Sequence, residues 1–169
     1  MTPDIRPMQM TDIAAIQEVQ SLCYPASYLE SREAFATKLA GAPGSCWVAQ
    51  DRDGSVQAYL VCLPVDPDSF PALNAPLWTP PRQANMFYLH DLAIGPAARG
   101  TGLASDLVTH AMTHAREQAL QQAGLIAVQG TCAFWRRFGF EADASGRLLS
   151  ADKLASFGLD AVFMSQVLA

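Results

Sequence analysis

Residues 90–107 read HDLAIGPAARGTGLASDL, an apolar strand-like run, then a turn rich in glycine and other small residues, then the start of a helix. Small residues in such a turn let backbone amides approach an anion, and the following helix adds the partial positive charge of its N-terminus. Arg99 supplies a further cation. The spacing of Gly95 and Gly100 begins a nucleotide phosphate loop, but Thr101 stands where the lysine must be, which argues against nucleotide hydrolysis. Gly100 and Gly102 begin a dinucleotide fingerprint, but Ser105 replaces its last glycine and no acidic ribose ligand lies in an obvious place. From the residues alone, two readings stay open: an anion cradle of another kind, or an ordinary strand-to-helix connection.

Working outward, periodicity and turn residues predict the neighbouring elements. Upstream come a short strand over Asp4–Met8, a helix over Asp12–Leu22 capped by Thr11, and a second helix over Glu30–Ala40. Strands over Cys46–Gln50 and Val56–Leu63 flank the Asp53-Gly54 pair and form a hairpin. Pro64–Arg82 holds six of the eleven prolines and reads as a long loop without strand interior. A strand over Met86–Ile94 leads into the glycine turn, and Leu103–Gln121 carries apolar residues at helical spacing. A strand over Leu125–Gln129, a short helix over Cys132–Phe138 and a strand over Ala161–Val167 complete an α/β domain on a mixed sheet, with no internal repeat.

Composition agrees with one domain. The 169 residues, half of them hydrophobic, suffice for a single core. No apolar run is long enough to span a membrane, and the N-terminus lacks the pattern of a secretory signal, so a soluble cytoplasmic protein without a membrane partner is expected. Four cysteines without a CxxC pair read as reduced packing residues. A net charge of -5 argues against a nucleic-acid partner and fits a cationic one.

The turn, taken with a second motif, resembles the GNAT superfamily of acyl-CoA-dependent N-acyltransferases. The signature [QR]xxGxG or [QR]xxGxA is matched by Arg99-Gly100-Thr101-Gly102-Leu103-Ala104, and Ala133-Phe134-Trp135-Arg136-Arg137-Phe138-Gly139-Phe140 resembles the family's second signature, about thirty residues downstream. YLHDLAI and FWRRFGF further resemble the arylalkylamine N-acetyltransferase branch. The resemblance spans nearly the whole chain and implies a GNAT fold, a mixed and mostly antiparallel sheet flanked by helices. It also implies acetyl-CoA as acyl donor, with no metal. The coenzyme A pyrophosphate is then expected on Arg99, Gly100, Thr101, Gly102, Leu103 and Ala104, with Ser105 adding a hydroxyl. The pantetheine arm is expected beside Leu92, Ala93 and Ile94, and Trp135 and Arg136 near the cofactor.

The implied reaction is aminolysis of a thioester: a primary amine attacks directly, an oxyanion forms and the thiolate departs. Regular alternation along the strand puts Tyr88, His90 and Leu92 on one face and Asp91 on the other. His90 matches a histidine that the branch uses in proton removal and is the expected base, with Tyr88 as water holder or part of the amine pocket. The alternative for His90 is a packed, hydrogen-bonded histidine. Tyr24 and Tyr28, between the first two helices, and Phe70 and Trp78, in the proline-rich loop, are candidates for an aromatic amine pocket; covering the core is the alternative for each. Glu30, Glu33, Asp66 and Asp68 are placed to attract a cationic amine. Trp135 occupies the place where the family commonly has a tyrosine that protonates the thiolate, and an indole cannot give up its proton usefully. That departure supports a rival reading, a silent acyl-CoA-binding sensor or partner module. His110 and His114, four apart on the long helix, lack the glutamate of HExxH because Ala111 stands there, and read as a solvated face. Which amine is acylated stays open, as does a homodimer.

Overall fold

The computed structural model describes residues 2–168. In chain order the elements are β1 (Asp4–Pro7), α1 (Ile13–Cys23), α2 (Arg32–Gly41), β2 (Cys46–Gln50), β3 (Val56–Val65), β4 (Met86–Ile94), α3 (Leu103–Glu117), β5 (Gln122–Ala127), α4 (Cys132–Arg136), β6 (Glu141–Ala142), α5 (Ala151–Ala155) and β7 (Val162–Val167). The seven strands form one sheet in the order β1-β2-β3-β4-β5-β7-β6. The β4–β5 pair is parallel and the others are antiparallel, which is the expected mixed sheet. No helix among the described residues is long and apolar enough to cross a membrane.

Local chemistry sets the helix boundaries. Thr11 does not cap α1; it lies in a single 3-10 turn, Met10–Asp12, closed by Asp12, whose Oδ2 accepts the Gln9 amide at 2.7 Å. The Arg6 guanidinium grips both Asp12 carboxylate oxygens at 2.8 Å. Ser31 caps α2, accepting the Ala34 amide at 3.1 Å, so the helix begins at Arg32 and leaves Glu30 outside it. Helix α3 stops at Glu117, short of the expected Gln121, with Ala119 in the left-handed region. Strand β5 consequently starts at Gln122, three residues earlier than expected, because Gln122–Leu125 pair with Met86–Leu89 on one side and with β7 on the other.

Strand β3 also runs further than expected, through Pro64 to Val65. The Cys62 amide donates to Ser45 on the β2 side, so Pro64 turns its imide nitrogen to the same side, where β2 has already ended and no ladder bond is lost. Two short elements, β6 and α5, had no signal in the periodicity.

Apolar side chains pack on both faces of the sheet. On one, α1, α2 and the proline-rich loop bury Ile13, Ile16, Phe35 and Phe70 against Tyr59, Val61 and Tyr88. On the other, Leu103, Leu107, Val108, Ala111 and Ala115 of α3 pack on Trp47, Leu60, Phe87 and Leu89.

The β3–β4 ladder contains the irregularity that positions the site. Val61 pairs with Asp91 and Cys62 with Leu89, so His90 is an extra residue with no partner of its own. The bulge reverses alternation beyond it. Tyr88, His90, Asp91 and Ala93 all face α1 and α2, while Leu92 and Ile94 pack toward α3. The expected separation of Asp91 from His90 is therefore corrected: they share a face.

Candidate active site

Strands β4 and β5 pair only as far as Leu89 and Leu125 and then part. The gap opens into a cavity of about 150 Å³ between the far half of β4 and α4. His90, Asp91 and Leu92 form its floor, Tyr24 and Tyr28 one wall, and Phe134 and Trp135 another. Phe134 also borders a second groove of about 360 Å³ at the glycine turn, lined by Ile94, Arg99, Gly100, Gly102, Ala104 and Ser105. Groove and cavity are thus neighbours across one ring.

The groove has the makings of an anion site. Gly100 and Gly102 hold φ values of +74° and +87°, which L side chains rarely adopt, although a Cβ at either would meet nothing within 4 Å. Backbone conformation, rather than lack of space, requires these glycines. Gly102 caps α3, whose first-turn amides have no partner within the helix. Arg99 stands at the rim, its Nε donating to the Ile94 carbonyl at 3.3 Å. Thr101 spends its hydroxyl on the Ala98 carbonyl at 2.6 Å, and Leu103 is buried in the core, so both bring only backbone to the turn. Arg136 does not border the groove; its guanidinium lies 3.8 Å from Glu141, and Arg137, one residue on, lines the groove instead. Along β4, Ala93 is buried, and the Leu92 and Ile94 carbonyls accept from Tyr24 Oη at 2.6 Å and Cys23 Sγ at 3.2 Å. With Arg99 also on the Ile94 oxygen, the Leu92 oxygen is the one that retains a second lone pair.

The cavity floor is backed by a buried polar chain. Lys38 Nζ lies 2.9 Å from Glu30 Oε2, and Glu30 Oε1 lies 2.5 Å from His90 Nε2. The Lys38, Glu30 and His90 side chains are 0%, 2% and 1% exposed. His90 Nδ1 sits 3.2 Å from Tyr88 Oη. Burial, followed by the charges of Glu30 and Asp91, pushes the Tyr88 phenol well above its ordinary range, so it keeps its proton. Burial works to raise the Glu30 carboxyl too, but the charges and hydrogen bonds of His90 and Lys38 outweigh it and hold the group at about 2. Asp91 behaves oppositely. Burial, reinforced by the charge of Glu30, outweighs His90 and the Tyr59 and Tyr24 hydroxyls and lifts it to about 6. Tyr59 Oη donates to Asp91 Oδ2 at 2.8 Å.

Several expected site residues lie elsewhere. Tyr88 is wholly buried beneath Phe70, with ring centroids 4.9 Å apart, and touches the site only through His90. Phe70 and Trp78 are core residues and do not line the cavity; Trp78 donates its indole N–H to the Ser69 carbonyl at 2.8 Å. Tyr24 and Tyr28 do line it. Glu30 is neutralised internally by Lys38, so it is not a free lure for cations. Trp135 packs against Phe134 and Phe140 at the cavity edge. His110 and His114 lie edge-on to Trp47, at 5.1 and 5.3 Å between centroids. Lys38 and the paired role of Glu30 went unread because a lysine and a glutamate eight apart straddle a helix start, where neither periodicity nor a motif marks them.

The profile of the Acetyltransferase (GNAT) family matches residues 13–140, from α1 to the end of the second signature. The chain belongs to this family. No curated protein sequence matches it. Among solved structures it is similar to the loading GNATL domain of CurA from Lyngbya majuscula, at TM-score 0.78 and 12% identity over 98% of this chain and 97% of that one. The GphF GNAT-like decarboxylase in complex with isobutyryl-CoA gives 0.73 and 17% over 98% and 100%. The PaiA N-acetyltransferase from Thermoplasma acidophilum in complex with coenzyme A gives 0.70 and 13% over 99% and 99%. At these identities the likeness establishes the GNAT fold. Membership of the family supports an acyl-CoA-dependent transferase in general terms.

Proposed function

We propose that the protein transfers an acetyl group from acetyl-CoA to a primary amine by direct attack. The observation that carries this is the adjacency of the glycine-turn groove and the aromatic, acid-floored cavity across Phe134. The groove suits the diphosphate of coenzyme A in charge, with the N-terminus of α3 and Arg99 bordering it. The Leu92 carbonyl, with a lone pair to spare, suits a pantetheine arm lying along β4 as an added strand. The thioester then reaches the gap where β4 and β5 part. Tyr24 and Tyr28 offer an apolar wall to the amine and Asp91 a counter-charge to its ammonium form. Kinship with the arylalkylamine branch fits these walls and remains part of the proposal. The parting thiolate needs little help, since thiols of ordinary pKa leave readily near neutral pH.

The silent-binder reading keeps one observation of its own, the indole of Trp135 at the cavity edge where the family commonly has a phenol. A panel of primary amines with thiol release as readout separates the two: steady release with at least one amine supports transfer, and release with none supports the binder. Binding is tested independently. Acetyl-CoA at about 100 times its dissociation constant should stabilise the fold by about 2.7 kcal/mol. Gly102→Val should abolish most of that shift by straining the +87° turn; a full shift in the folded variant would reject this cradle.

A further inference from the structure

We infer that Asp91, brought onto the His90 face by the β4 bulge, is the catalytic residue that takes the amine's proton, and that His90 is a positioning residue locked behind it. The inference rests on the amine-acylation reading above. It starts from the lone pairs of His90. With Tyr88 keeping its proton, Nδ1 accepts the phenol O–H and Nε2 donates to Glu30. If the ring is charged, both nitrogens donate to the same partners. In neither form does a ring lone pair face the cavity, and the side chain is 1% exposed. Glu30 is equally committed, one oxygen to His90 and the other to Lys38. Asp91 differs: one oxygen accepts from Tyr59, the other is held by no charged partner among the described residues, and the residue lines the cavity beside Tyr24.

The surroundings set the carboxylate's task. The titratable groups facing it are Tyr24 from the end of α1, Glu30 from the connection to α2, Tyr59 from β3, and Tyr88 and His90 from β4, with Lys38 of α2 behind Glu30. The fixed negative charge of Glu30 raises the proton affinity of Asp91, and the two hydroxyls moderate it. A carboxyl titrating near 6 is ionised at neutral pH and still basic enough to accept a proton as the amine's nitrogen becomes acidic during attack.

The step balances as follows. The bound ammonium first loses one proton to solvent through Asp91. The neutral nitrogen's lone pair forms the C–N bond, and the carbonyl π pair moves to oxygen. As the oxyanion collapses, the C–S bond breaks and its electron pair leaves on sulfur. The second N–H proton passes to the Asp91 carboxylate, and the thiolate takes a proton from water.

The test is a pH profile of kcat/KM by thiol release for wild type, Asp91→Asn, His90→Gln and Tyr59→Phe, with acetyl-CoA affinity measured on each. Asp91→Asn keeps the shape and should lose about 100-fold or more without losing acetyl-CoA affinity. His90→Gln should fall less than about tenfold and keep the acidic limb, moved to higher pH because a group that lowers the Asp91 carboxyl is gone. Tyr59→Phe should move that limb to higher pH, because the ionised form loses a donor. In ligand-free protein, a carboxyl infrared band should titrate near 6 in wild type and vanish in Asp91→Asn. If wild type acylates no amine, the parent reading falls and this one with it. If wild type turns over and folded Asp91→Asn keeps more than a tenth of its activity with the limb intact, the assignment to Asp91 alone falls. Loss of the limb in His90→Gln together with its persistence in Asp91→Asn would return the proton to the histidine.

Discussion

The two faces of the sheet are built on different principles. The face under α3 is apolar contact: Leu107, Val108, Ala111 and Ala115 are wholly buried against Leu60, Phe87 and Leu89. The face under α1 and α2 is comparably covered, yet a polar chain from Lys38 through Glu30 and His90 to Tyr88 runs through it, with Asp91 and Tyr59 alongside. A packed apolar face degrades gradually when trimmed, since each lost methyl costs its own contacts and cavity. A buried charge chain fails sharply when one member is removed, because the partner's charge is stranded.

The largest effect should therefore come from Lys38→Met, which leaves Glu30 buried and unpaired. Chemical denaturation should find a loss of about 3–5 kcal/mol, and adding Glu30→Gln should recover much of it. No recovery in the double variant would mean that Lys38 acts through its bonds to the Ala34 and Ala75 carbonyls instead. Leu107→Ala on the other face should cost about 3 kcal/mol with turnover per folded molecule unchanged. A collapse of turnover there would erase the functional contrast between the faces.

Within the polar face, the two carboxylates should oppose each other in their pH dependence. Glu30 lies at about 2 in the fold, below its ordinary 4.5, so its contribution is present above 4.5 and is lost as pH falls toward 2. Asp91 lies at about 6, above its ordinary 3.8, so the fold is favoured by its proton below 3.8 and loses that contribution as pH rises through 6. Asp91→Asn should accordingly be more stable than wild type at pH 8, by about 1–2 kcal/mol, with the advantage shrinking toward pH 4. A flat difference across that range would mean that Asp91 is not strained in its charged form. The smallest effect should be at Trp135, where substitution by Phe should reduce turnover less than about tenfold if the indole only packs, against the 100-fold or more expected on losing a general acid.

What was legible in the sequence followed from local rules. Arg99 to Ala104 and the strand before it defined the turn, and the apolar spacing of α3 defined the face it buries, because both depend on neighbours in the chain. The bounds that slipped did so where a side chain or a ladder overruled propensity: Asp12 with Arg6 at α1, Ser31 at α2, and two-sided pairing that drew β5 back to Gln122. The site was legible in kind but not in arrangement. His90 stood out as a residue type on a strand, but nothing in HDLAI says that the ladder skips a residue there. Phe70 and Trp78 have the composition of pocket walls, and only the packing of the loop against Tyr88 and Gly41 places them inside the core.

That skipped residue has a consequence for insertions and deletions. A strand stores the facing of every later residue as odd or even, so removing His90 would restore a regular ladder with Asp91 still opposite Val61 and on the same face, whereas closing the bulge with His90 retained would turn Asp91 toward α3. Substitution at position 90 and deletion of position 90 are then different experiments: the first edits one group within the bulge, the second removes the bulge while every later residue keeps its face. Homologous chains that lack the extra residue would present the same later side chains to the gap despite their shorter strand, so ladder partners along β4 are a sounder guide to their chemistry than counted positions.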